Sequence, residues 1–196
     1  MKLKAWEIGL CLGLGLLILT CAIPVYQQER LAEKLTRLHV VANSDGEEDQ
    51  ALKLQVRDAV LAEIRPEDDP ADVQLLLRLQ RAAEDAVAAA GFDQTVRVYR
   101  TRMFFDTREY ETFSLPAGEY DAVRVELGAA AGRNWWCVLF PPLCAGACQE
   151  DLQDIGSMAG LTKEEVSYIS GNGTNYIIRF KIAEWWGTFY GWLSTM

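Results

Sequence analysis

The segment Asn134-Trp135-Trp136-Cys137-Val138-Leu139-Phe140-Pro141-Pro142-Leu143-Cys144 restricts the possible folds more than any other part of the chain. The apolar run up to Phe140 reads as a buried strand. Pro141 and Pro142 must end it, because neither can donate a hydrogen bond to a sheet ladder. The chain then turns and carries Cys144 back towards Cys137. What those two cysteines do depends on the compartment, and the N-terminus speaks to that.

Lys2 and Lys4 precede an uncharged run from Ile8 to Gln28, mostly apolar between Ile8 and Val25. A basic start followed by such a core is an export signal or an anchor with its C-terminal side outside. Eighteen helical residues span roughly 27 Å, just enough for a bilayer. Small residues at Thr20-Cys21-Ala22 allow cleavage after Ala22, so a cleaved signal and a retained anchor over residues 8–25 both stay open. Residues 1–28 are read as this signal or anchor, and 29–196 as one extracytoplasmic domain. Outside the cytoplasm disulfides persist. Cys137 with Cys144 is the favoured pair, closing a small loop tightened by the two prolines, while Cys148 makes the count odd. Zinc is the rival reading, poorly served by C-x6-C-x3-C spacing and a single distant His39.

Of 19 basic and 28 acidic side chains, Lys2, Lys4 and Glu7 lie in the leader, leaving 17 and 27 and a net charge of -10. That balance argues against nucleic acid and against an anionic lipid surface as partners.

Arg37-Leu38-His39-Val40-Val41-Ala42 reads as a strand ending in the turn Asn43-Ser44-Asp45-Gly46. Ser44 and Glu47 have capping-box spacing. The following helix places Leu52, Val56, Ala59, Val60 and Ile64 inward, with Asp49, Lys53 and Arg57 on its outer face. A second helix is expected from Asp69-Pro70, with Val73, Leu76, Leu77, Ala83 and Val87 inward and Gly91 as its stop. A period of two then marks strands around Val96-Val98, Val123-Val125-Leu127 and Trp135-Phe140. The class is α+β, two helices on one face of a mainly antiparallel sheet, with an N-terminal signal or anchor helix. Cys148 to Thr162 reads as a loop. Val166 to Ser170 and Tyr176 to Phe180 suggest a hairpin. Ile182 to Leu193 suggests an aromatic helix that docks on the domain, binds a partner or lies at a membrane interface.

No nucleophile, base and orienting group can be assembled, no phosphate-cradling loop or metal constellation occurs, and no cofactor or small-molecule substrate is implied. A Cys137/His39 dyad needs a free thiolate, against the oxidising setting. The acidic pairs are explained by helix starts.

Several blocks carry a family resemblance. Arg37 to Asp45, continuing through Asp49-Gln50, Leu52-Lys53 and Val56-Arg57-Asp58-Ala59-Val60, resembles the signature of the stage II sporulation protein R family. So do Leu115-Pro116-Ala117-Gly118-Glu119-Tyr120, the block from Asn134 to Cys144, and Phe180-Lys181 with Glu184-Trp185. Phe105-Asp106-Thr107 departs from a Phe-Pro-Thr-like family sequence, and Cys148 is an addition. The resemblance implies a secreted signal of endospore formation, made in the forespore and exported into the space between the two membranes around it. There it would activate a membrane-embedded aspartic protease by binding its outer domain, leading to processing of the sigma factor E precursor. The expected partner contacts are Asn43, Ser44, Asp45, Asp49, Arg57, Asp58, Asn134, Trp135 and Trp136. The competing reading is an exported cysteine-dependent enzyme, such as a cell-wall hydrolase.

Overall fold

Six consecutive buried residues, Thr36–Val41, form β1, the strand on which the rest is assembled. The computed structural model describes residues 4–65, 67–110, 113–141 and 160–170, apart from the side chains at 5, 16–25, 27 and 168. Along the chain come α1 (Ala5–Lys34), β1, α2 (Glu47–Ala62), α3 (Val73–Ala89), β2 (Val96–Phe105), β3 (Arg108–Glu109), β4 (Ser114–Leu115), β5 (Gly118–Leu127), β6 (Asn134–Phe140) and α4 (Lys163–Ile169). The main sheet has the order β2-β5-β1-β6, and β3 with β4 makes a separate two-stranded ribbon.

The α+β class holds, with two of the three main pairings antiparallel: β2 with β5 and β1 with β6. The β1–β5 pair is parallel. Sequence periodicity does not show that, because the connection from β1 through α2, α3 and β2 returns the chain beside β1 from the far edge. Both faces of β1 are therefore covered. Leu38 and Val40 point to α2 and α3, where they meet Leu52, Val56, Val60, Leu75, Leu79, Val123, Val125 and Leu139. The opposite face packs Val138, Ala122 and Tyr120 against Leu31 of α1 and Leu35 at its C-cap, Leu115 of β4, and Val166 and Ile169 of α4. Each fully buried Leu or Val contributes about 1.5–3 kcal/mol, so the two helix–sheet layers dominate stability.

Several sequence expectations are corrected. Helix α2 is capped by Gly46, not Ser44. Asp49 and Lys53 are buried and not on an outer face; Lys53 meets the β5–β6 turn at the Arg133 carbonyl, and Asp49 is covered by Asn43, Ser44 and Gln94. Helix α3 begins three residues after Asp69-Pro70, with Asp72 as cap accepting the Gln74 N–H at 2.9 Å. The first turn is held back because Asp69 accepts from Ala71 instead. The inward stripe is Leu75, Leu79, Ala83 and Val87, while Val73 and Leu77 are exposed. Packing of Leu75 and Leu79 against the sheet sets that face, and Arg78 beside them is clamped on both Asp68 oxygens at 2.7 and 2.8 Å. Gly91 ends α3 as expected, at φ +80°. Val166 lies in helix α4, not in a strand; Thr162 and Glu165 form its capping box. The expected strand over Tyr176 to Phe180 and the aromatic tail lie outside the described residues.

Helix α1 runs unbroken through residue 28, and its last turns dock on the sheet through Leu31, Ala32 and Leu35. Its N-terminal half exposes Trp6, Ile8, Leu10, Leu12 and Leu14. Among the described residues no helix is long and apolar enough to cross a membrane.

Candidate functional site

The corner after β1 is built around one carboxylate. Asp49, in the first turn of α2, accepts from Ser44 Oγ at 2.5 Å, Asn43 Nδ2 at 2.8 Å and Gln94 Nε2 at 2.6 Å. The Ser44 hydroxyl, then Gln94 and Asn43, hold its carboxyl below the usual carboxylate range. Gln50 donates to the Ser44 carbonyl at 2.8 Å, and Lys53 bridges Gln50 Oε1 at 2.6 Å and the Arg133 carbonyl at 3.0 Å. Burial, then the charge of Arg133, pushes the Lys53 ammonium down.

The second wall is the turn from β5 to β6. Asn43 Oδ1 accepts the Ala129 N–H at 2.9 Å, and its backbone carbonyl accepts that of Ala131 at 3.1 Å. Asp45 accepts the Arg133 N–H at 2.7 Å. Gly128, at φ +55°, leaves room for the Asn43 carboxamide. Gly132 lies so close to the Ser44 carbonyl that a β-carbon there would collide with backbone. Asn43, Ser44, Asp45 and Asp49 are thus brought together, with each side chain turned into the corner's own bonding. Sequence reasoning missed Gln94, which sits 45 residues from Asp49.

Next to this corner Arg57 stacks over the Trp135 ring, 4.9 Å from its centroid, and pairs with Asp58 at 2.7 Å. Asp58 is well exposed, and Asn134 is exposed at the start of β6. Trp136 is not part of this group. Alternation along β6 sends it to the other sheet face, where it stacks on His39.

That other face carries a second polar cluster. Glu126 accepts from Tyr99 at 2.9 Å and pairs with Arg97 and Arg124 at 2.8 Å each. Burial pushes its carboxyl up, but Tyr99 and the two arginines outweigh this and hold it low. His39 is lowered to about 4 by burial first, then by Arg124. Arg37 is fully buried, its guanidinium 4.1 Å from the Phe105 centroid and donating to Tyr110 Oη at 3.1 Å. A guanidinium held by rings and a phenol serves packing, and no acid–base pair faces His39 in hydrogen-bonding geometry among the described residues.

Cys137 is buried and disulfide-bonded. Cys144 and Cys148 lie outside the described residues. No group of histidine, cysteine or carboxylate side chains able to hold a metal occurs among the described residues.

A model of the stage II sporulation protein R family matches residues 32–150. The chain is 33% identical over 183 residues to Stage II sporulation protein R of Bacillus subtilis (strain 168), an alignment covering 79% of this chain and 81% of that relative. No solved structure matches it.

Proposed function

The chain belongs to the stage II sporulation protein R family, and from that membership we propose that it is an exported signal of endospore formation that works by binding. Its partner in this reading is the outer domain of a membrane-embedded aspartic protease, and the outcome is processing of the sigma factor E precursor. A role in sporulation follows from the family. Export through the N-terminal segment, action between the forespore and mother-cell membranes, and the protease partner are our reading.

One observation carries it. Four motif residues, Asn43, Ser44, Asp45 and Asp49, converge on one hydrogen-bonded corner, with Arg57, Asp58 and Asn134 beside it at the surface. A preorganised polar corner suits recognition, because little side-chain entropy remains to be lost on binding. Against a cysteine-dependent enzyme stands the disulfide at buried Cys137, which leaves no thiolate there. A binding activator acts only through its higher affinity for the active arrangement of its target.

The test is co-expression with the candidate protease and sigma precursor in a non-sporulating host. Cleavage should require this chain, saturate with its amount, and cease when it is removed. If a trace of the chain leaves the protease permanently active after removal, the protein is an enzyme and the reading is wrong.

A further inference from the structure

Among the described residues strand β2 is an edge of the main sheet, paired with β5 on one side only. Its outer side is met over one half and unpaired over the other among the described residues. Gln80 of α3 accepts the Val98 N–H at 2.8 Å and donates to the Val96 carbonyl at 2.8 Å, taking the place a neighbouring strand would occupy. These two bonds fix which backbone groups point outward. In a strand the N–H and C=O of one residue share a side and alternate along the chain. The β2–β5 register is unbroken from Val96 to Phe105. Arg100, Arg102 and Phe104 therefore turn their N–H and C=O groups away from β5, as Val96 and Val98 do; among the described residues the one contact to them is a long bond from the neighbouring Thr101 hydroxyl to the Arg102 carbonyl, at 3.4 Å.

The side chains of these three residues lie on one face by the same alternation. Val96 and Val98 pack against the helix layer, whereas Arg100, Arg102 and Phe104 are exposed, Phe104 at 56%. We propose that residues 100–104 form a strand-docking edge that takes an extended segment of a partner protein with alternating acidic and apolar side chains. Backbone pairing would supply affinity and the alternate side chains specificity. Arg100 and Arg102 each lean on one β5 carboxylate, Asp121 at 2.6 Å and Glu119 at 3.6 Å. Those contacts use a minority of the five N–H donors on each guanidinium. Both acids sit on the inner side of the arginines, so an incoming strand meets positive charge first.

A second copy of this chain is a poor occupant. Antiparallel pairing of two such edges sets arginine opposite or diagonal to arginine, and like charges across a ladder are destabilising. Long open edges are normally blunted against self-association; here Gln80 closes one half and charge guards the other.

The inference rests on the chain having a protein partner, as proposed above, but not on which protein. The probe is a fluorescent peptide of alternating glutamate and valine, with its lysine–valine counterpart, added to the full-length chain in detergent micelles. The glutamate peptide should bind saturably, slow amide exchange at Arg100, Arg102 and Phe104, and outcompete the lysine peptide. Arg102→Pro removes an outward N–H together with the guanidinium and its exposed Glu119 contact, and leaves the inward ladder to β5 intact, so it should weaken binding at least tenfold while the unfolding temperature stays within a few degrees. If that variant does not fold, Arg100→Glu with Arg102→Glu decides, and should reverse the peptide preference. Absent binding, protection elsewhere on the chain, or affinity unmoved by these variants overturns the proposal. Precursor cleavage in the co-expression test can succeed or fail independently of these results.

Discussion

The imidazole of His39 lies flat on the indole of Trp136, centroids 3.8 Å apart and planes 5° apart. The stack joins β1 to β6 across the sheet face opposite α2 and α3, at a register where the two residues are direct partners. It also keeps the imidazole neutral, since burial and the nearby Arg124 and Arg37 oppose a further positive charge and outweigh Glu126. His39 titrates at about 4 in the folded chain against 6.5 unfolded. Between those values the unfolded state takes up a proton that the folded state refuses. Stability from this residue is therefore complete above 6.5 and falls as pH drops towards 4. Denaturant midpoints at pH 7 and pH 4.5 should differ less in His39→Phe than in the parent chain. An equal difference would show that His39 contributes nothing to acid sensitivity.

Ser44 is a donor to Asp49 and not a helix cap, which reverses the expected effect of a familiar substitution. As an N-cap, Ser44→Asp would restore helix stability. In this corner it sets a second carboxylate against Asp49, and the variant should be destabilised. Asp49→Ala should cost about 3 kcal/mol, because it strands three donors that now bond a charged acceptor. Chemical denaturation of both variants checks this. The Asp49 contribution is present above the unfolded carboxylate pKa and is lost as pH falls through its lowered folded value.

Two glycines should respond differently to the same change. Gly91→Ala meets open space and suffers only the left-handed backbone, about 1–2 kcal/mol. Gly132→Ala drives a methyl into the Ser44 backbone and should cost about 3 kcal/mol or more. Thermal melts of the pair give the order.

Asp58 separates recognition from folding. Its side chain is 63% exposed and its ion pair with Arg57 lies at the surface. Asp58→Ala should change stability by no more than about 0.5 kcal/mol. If Asp58 contacts the partner, precursor cleavage in the co-expression host should drop several-fold at unchanged secretion. Unchanged cleavage removes Asp58 from the contact surface.

The disulfide at Cys137 is expected to pair with Cys144, closing a loop whose entropy is worth about 2–3 kcal/mol. Non-reducing mass mapping should join those two and leave Cys148 apart. A bridge from Cys137 to Cys148 would sink the pairing.

The sequence alone determined what depends on neighbours along the chain. The β1 run, the stop at Gly91, the alternation of Val123, Val125 and Leu127, and the strand ended by Pro141 follow from period, φ and missing donors. It also carried the motif blocks that identify the family. Tertiary structure decided what depends on residues far apart. The parallel β1–β5 pair needs a crossover that no local pattern records. Lys53 looks like an outer-face charge until the β5–β6 turn supplies the Arg133 carbonyl, and Asp49 does until Asn43, Ser44 and Gln94 enclose it. Trp135 and Trp136, adjacent in sequence, face opposite layers because a strand alternates, so only Trp135 joins Arg57 at the corner. A buried polar group must find partners wherever the fold places them, and for Asp49 one of them, Gln94, comes from beyond two helices.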